Sequence, residues 1–223
     1  MRRRTTVLSL LCAFGLGLMT TAVRADDTPR TALDSWLAGL KSLRAQFTQS
    51  ITDAQGRQMD KTTGELLVLR PGRFRWDSHD ASATGSAPTD SGQVLIADGR
   101  NVWFYDRDLQ QVTVKPVDAA LSATPLMLLS GGAEVRNAFD ISDAGAKEGL
   151  SWVRVKPRAS DADFRQAVLG FAGGELRQMI LEDKLGQNAT LVFSRSERNA
   201  PVTVAEVSFT TPKGVDVIGK PQM

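Results

Sequence analysis

Cysteine occurs once in the 223 residues, at Cys12, and histidine once, at His79. Cys12 lies in Val7–Val23, an apolar stretch without a charge, preceded by Arg2, Arg3 and Arg4 and followed by Val23-Arg24-Ala25. A positive start, an apolar middle and small or modest residues at −3 and −1 make the three parts of a secretory leader. Residues 1–25 are therefore expected to be removed, leaving a mature chain that begins at Asp26. That chain has no thiol, which excludes disulfides, thiolate nucleophiles and cysteine-bound metals. At 198 residues it is large enough to bury a core without staples.

The basic excess is also lost with the leader. The full chain has 27 Lys+Arg against 25 Asp+Glu, and four of the arginines lie in residues 1–25. The remainder carries 23 basic and 25 acidic residues, a net charge of −2, which gives no footprint for nucleic acid. Residues 26–223 fit a single domain, without an internal repeat.

Catalytic patterns are scarce. His79 falls in Ser78–Gly92, read as a polar loop, where Asp77 and Asp80 beside it make no supported metal site. There is no G-x-S-x-G, and no lysine has a serine three positions before it. Gly214, Gly219 and Lys220 imitate a phosphate loop, but Pro221 follows and leaves no helix start to hold phosphates. An enzyme is not expected.

What is present is apolar alternation. Leu33, Trp36, Leu37 and Leu40 recur at helical spacing after a Thr31 or Asp34 cap. Strands are predicted from Leu43 to Ile51, at Gly64–Leu69 and Arg73–Asp77, and at Val94–Ala97 and Val102–Tyr105 around the Asp98-Gly99 turn. Further strands are predicted at Val112–Val117, Phe139–Ser142, Leu150–Lys156, Phe164–Phe171, Leu176–Glu182, Ala189–Ser196 and Val204–Phe209. Most of these, about ten to eleven strands at hairpin spacing, point to an antiparallel barrel or strongly curved sheet. Between them, Thr124 reads as the N-cap and Pro125 as the first residue of a short helix, with Gly131 as its stop. Leu126–Leu129 is apolar all round and must cover something. Several strands, such as Leu66–Leu69, are apolar on both faces. An ordinary packed barrel explains this most simply; a ligand-holding interior is the other reading.

Five segments, in order, shift that balance. They are Phe47-Thr48-Gln49, Arg70-Pro71-Gly72-Arg73-Phe74-Arg75-Trp76, Asp98-Gly99 through Tyr105, Thr124-Pro125 through Leu129, and Phe209 through Val215. Together they resemble the outer-membrane lipoprotein carrier family, LolA, over nearly all of residues 26–223. The resemblance implies a mainly β fold, an open, unclosed antiparallel barrel under a helical lid. It implies a monomeric periplasmic chaperone, without a cofactor, that holds the acyl chains of lipoproteins. Its partners would be an inner-membrane lipoprotein-releasing ABC transporter and an outer-membrane receptor. The family's lid-holding arginine corresponds to Arg70 and its cavity-mouth aromatic pair to Phe74 and Trp76. Phe47, Trp103, Leu126, Met127 and Leu129 complete the expected ligand-binding or lid-controlling set. Ser78–Gly92 is longer than the family's usual connection. The alternative is a periplasmic lipid- or peptide-sensing regulatory domain on the same fold. An outer-membrane barrel is disfavoured by the short strands and internal helices.

Overall fold

The computed structural model describes residues 31–81, 91–120, 124–131 and 133–222. The leader reading, Cys12 and most of the Ser78–Gly92 stretch lie outside the described residues. The strands are β1 (Ser42–Thr52), β2 (Gln58–Leu69), β3 (Arg73–Asp80), β4 (Gln93–Asp98), β5 (Asn101–Asp106) and β6 (Gln111–Pro116), then β7 (Phe139–Lys147), β8 (Leu150–Pro157), β9 (Phe164–Ala172), β10 (Glu175–Asp183), β11 (Asn188–Arg198) and β12 (Asp216–Ile218). The helices are α1 (Ala32–Leu37), α2 (Leu126–Ser130) and α3 (Ala133–Asn137).

All twelve strands form one sheet in the order β12-β6-β5-β4-β3-β2-β1-β11-β10-β9-β8-β7. None of the described pairings joins β7 to β12, so the sheet is open. The first strand sits at its centre, paired with β2 on one side and β11 on the other.

Alternation sorts the side chains onto two faces. Leu43, Ala45 and Phe47 share the inner face with Leu66, Phe74, Trp76, Ala97, Leu169, Met179, Leu191 and Phe193. Leu33 and Trp36 of α1 and all four apolar residues of α2 pack into the same core. Thr31 caps α1, accepting from the Asp34 amide at 3.2 Å while Asp34 accepts the Thr31 amide at 3.1 Å. On the outer face, the C-terminal segment packs on β2 to β4, where Val207 is fully buried, and reaches β5, where Phe209 lies against Trp103 at 5.2 Å.

Four sequence expectations need correction. Val204–Phe209 is not a strand: Ala205–Val207 is a single 3-10 turn that inserts Val207 beneath the chain. The strand near the C-terminus is β12, which runs parallel to β6, so the sheet is not wholly antiparallel. Strand β3 continues to Asp80 because β2 is longer than its apolar part, and His79 pairs with Thr63 in the ladder instead of lying in a loop. Pro125 stands at the N-cap of α2 with Leu126 first in the helix, while Thr124 Oγ1 accepts the Leu126 amide at 3.3 Å.

Asp77 organises the outer face near β4. It takes Arg107 through both oxygens, at 2.8 and 3.0 Å, and Arg75 at 2.7 Å. Arg107 in turn donates its amide to the Gly92 carbonyl at 2.9 Å, which fixes the approach to β4. Burial alone would push the Asp77 carboxyl up; the hydrogen bonds and charges of Arg107 and Arg75 outweigh it and hold the group below its ordinary 3.8. A folded-state value below the unfolded one stabilises the protein above the unfolded value. That contribution disappears as pH falls through the folded value. The melting temperature is therefore expected to be level between about pH 7 and 5 and to drop below about pH 4. Asp77→Asn should flatten that acid limb, and an unaltered limb would show that Asp77 has no part in it.

Candidate functional site

A cavity of about 670 Å³ opens on the inner face. Trp76, Leu95, Phe104, Met179, Leu181 and Leu191 wall it, Leu126 and Pro125 at the start of α2 close one side, and Asp60, Asp80 and Asp108 stand among its polar lining. Phe104 and Met179 lie on strands six places apart in the sheet. In a flat sheet they would be separated by ~29 Å at the usual strand spacing. Both reach one cavity, so the sheet is strongly curled.

The aromatic floor depends on a missing side chain. Phe47 lies opposite Gly64 in the β1–β2 register and stacks on Trp76, with ring centroids 3.5 Å apart and 17° between planes. A Cβ on Gly64 would overlap the Asp77 carbonyl oxygen and sit 2.6 Å from Phe47 Cζ. Phe47 is 1% exposed, so Trp76 presents the stack to the cavity. Phe74, two residues before Trp76, shares its face but lies one step deeper and is fully buried. In this arrangement it packs as core.

Trp103 is the residue whose expected place the structure contradicts. Its register partners Ile96 and Val114 lie on the outer face, where Phe209 covers it and its Nε1–H donates to Asp98 at 2.6 Å. Strand alternation puts the adjacent Phe104 into the cavity instead. The Asp98-Gly99 turn sets the β4–β5 register, so counting from it through Leu95 would have found Phe104.

Arg70 stands at the junction of two helices. Its Nη1 donates to the Leu37 carbonyl at 2.9 Å and the Leu40 carbonyl at 3.4 Å, at the end of α1. Its guanidinium also lies against Gly131, directly after α2, where an added Cβ would be 2.8 Å from Arg70 Cζ. Gly131 has φ 86°, so no other residue fits without both strain and collision. The next turn residue, Gly72, donates its amide to the Ser130 carbonyl at 2.9 Å. Met127 and Leu129 are 1% and 0% exposed beneath this junction, in core contact and away from the cavity wall. Burial pulls the Arg70 guanidinium below its ordinary value, and it stays charged.

The geometry thus brings together Trp76 and Leu126 at the cavity, Phe47, Phe74, Met127 and Leu129 in the layer beneath, and Arg70 at the helix junction. Its chemistry is that of apolar accommodation. Among the described residues no group of three or more His, Asp or Glu side chains is gathered for a metal ion.

The pattern described as outer membrane lipoprotein carrier protein LolA matches residues 38–210. The chain belongs to that carrier family. An outer-membrane lipoprotein carrier protein of Dechloromonas aromatica is 36% identical over 214 residues, covering 96% of both chains. Its counterpart in Leptothrix cholodnii is 37% identical over 94% of this chain and 92% of its own. Among solved structures, an uncharacterised conserved protein of Thermus thermophilus superposes on 84% of this chain and 96% of its own. The TM-score is 0.50 at 15% identity, a likeness of fold alone.

Sequence reasoning missed other contacts of the helices in this LolA-family member. Arg198, at the end of β11, donates to the Trp36 and Ala38 carbonyls at 2.7 and 3.1 Å. Arg136 of α3 pairs with Asp34 of α1 at 2.7 Å. The first joins residues 160 or more positions apart, and nothing local in the sequence signals it.

Proposed function

We propose that this protein is a periplasmic chaperone that holds the acyl chains of lipoproteins between its curled sheet and its helices. It takes them from an inner-membrane ABC transporter and yields them to an outer-membrane receptor. The observation that carries this reading is the cavity of about 670 Å³ walled by Trp76, Leu95, Met179, Leu181 and Leu191. The carrier names of relatives such as the Dechloromonas aromatica protein support it.

At ~30 Å³ per water-sized group the cavity with its helices in place has room for about 22 such groups, enough for one long acyl chain before the lid opens. A 16-carbon chain gains about 12 kcal/mol on leaving water at ~0.8 kcal/mol per methylene. Two fully buried chains would exceed the practical ceiling near 20 kcal/mol, and release would stall. Displacing helices offsets part of that gain. In this reading α1, α2 and α3 form the lid and Arg70 is its latch. Opening parts the end of α2 from the Arg70 guanidinium and from the Gly72 amide, so the bound state is less favourable than burial alone would make it. Phe74, Met127 and Leu129, core residues when the lid is shut, join the acyl-chain surface when it opens.

The test is release from membranes. Residues 26–223 are added to spheroplasts making a labelled lipoprotein, and the soluble fraction is searched for a one-to-one complex. A complex that requires the acylated cysteine supports the carrier. Lipoprotein that stays membrane-bound beside folded protein overturns it. Arg70→Leu should still form the complex but hand its cargo on at least about tenfold more slowly, because the gain of burial is no longer offset. Wild-type handover by that variant would remove Arg70 as the latch.

A further inference from the structure

The end of α1 is gripped from two sides. Arg70, in the β2–β3 turn, takes the Leu37 and Leu40 carbonyls, and Arg198, from β11, takes those of Trp36 and Ala38. Four carbonyls at or just beyond a helix end, where the backbone runs short of intrahelical donors, thus accept from two cations. Arg198 also lies over the Trp36 indole at 5.9 Å from the ring centroid. Its neighbour Asn199 donates to the Gly39 carbonyl at 3.3 Å and accepts the Lys41 amide at 2.8 Å.

Helix α2 is held differently. Among the described residues, a backbone bond from Gly72 to Ser130 ties it to the β2–β3 turn, and Arg70 lies against its end. It is also the helix that closes the cavity, through Pro125 and Leu126, whereas no residue of α1 lines it. Gly131, at φ 86°, supplies a backbone pivot directly after it.

We propose that Arg198 is a positioning residue that pins α1 to β11, so that α2 alone swings away when an acyl chain enters. This rests on the reading of the cavity as an acyl-chain site and names the part of the lid that moves. Arg70 then has two separable tasks. Leaving Gly131 frees α2, while its bonds to α1 are backed by those of Arg198 and hold that helix in place.

Amide hydrogen exchange of residues 26–223 tests the assignment, first without any ligand. Arg198→Leu should speed exchange at Ala38 and Leu40 by at least about tenfold, leaving Leu128, Gly131 and the β1 amides at wild-type rates. Arg198→Lys, which keeps the charge but not the fork, should fall between. The second measurement adds a synthetic dipalmitoyl-cysteinyl peptide. In the wild type, Leu128 and Gly131 should lose protection while Ala38 and Leu40 keep it. In Arg198→Leu all four should lose it. Unchanged exchange at Ala38 and Leu40 in the ligand-free variant, or α1 and α2 opening together in the wild type, overturns the proposal. If the peptide fails to bind wild-type protein, the acyl-chain reading falls, and with it the claim that α2 alone moves. The pinning of α1 by Arg198 is still judged by the ligand-free exchange.

Discussion

Gly64→Ala is expected to lower stability by about 3 kcal/mol, an overpacking penalty at the upper end of the usual range. For a chain of this size that corresponds to a fall of roughly 6–12 °C in melting temperature. The added methyl overlaps the Asp77 carbonyl oxygen, so β2 and β3 must part, and it presses on Phe47 Cζ from 2.6 Å. Neither neighbour can yield cheaply. The carbonyl belongs to the central ladder, and the Phe47 ring is fixed by its stack on Trp76. The control is Gly56→Ala, at a turn with φ 80° and open space around it, where only the backbone preference of about 1 kcal/mol is at stake. Denaturant midpoints of both variants, with unchanged slopes, make the measurement. Equal midpoints would show that the Phe47–Gly64–Trp76 layer is not tightly packed.

Leu181→Asp is expected to abolish acyl-chain binding while the sheet stays folded. Leu181 is partly buried, lines the cavity and has the polar Glu182 beside it. A carboxylate there stays hydrated in the empty protein and must lose water when a chain enters, which costs several kcal/mol. Even ~2.7 kcal/mol is a hundredfold loss of affinity. Titration with a fluorescent long-chain acyl probe, beside a circular dichroism spectrum, distinguishes the effect from unfolding. Near-wild-type affinity would mean that the chains bind elsewhere. The same change at Leu169 is expected to unfold the protein, because that residue is fully buried on the same face.

Much of this arrangement is legible in the chain because it is local. The cap at Thr31, the Asp98-Gly99 hairpin and the stop at Gly131 each follow from a few adjacent residues, and all three stand where expected. Arg70 and Trp76 come from a motif, and both lie at the helix junction or the cavity. The errors come from long-range packing. Val204–Phe209 alternates like a strand, yet lies as a 3-10 turn over the outer face. Val207 is fully buried there, and Phe209 lies against Trp103 and Tyr105. Trp103 is misplaced because large aromatic residues on both faces of β5 look equally suited to a cavity. Arg198 carries no signal, since its partners lie at the other end of the sequence and are backbone carbonyls, which any residue supplies.

The open edge between β7 and β12 has a consequence for capacity. A closed barrel has a girth fixed by its strand number and stagger. Here the twelve strands make eleven neighbouring pairs with no constraint that the ends meet. Strand-to-strand twist ranges over tens of degrees in ordinary sheets, so a change of about 2° per pair lies within normal variation. Accumulated across the sheet, it rotates the two edges by roughly 20° relative to one another without breaking one ladder hydrogen bond. The trough can therefore widen elastically, like a leaf spring, and fit cargoes of unequal girth with one amino-acid sequence.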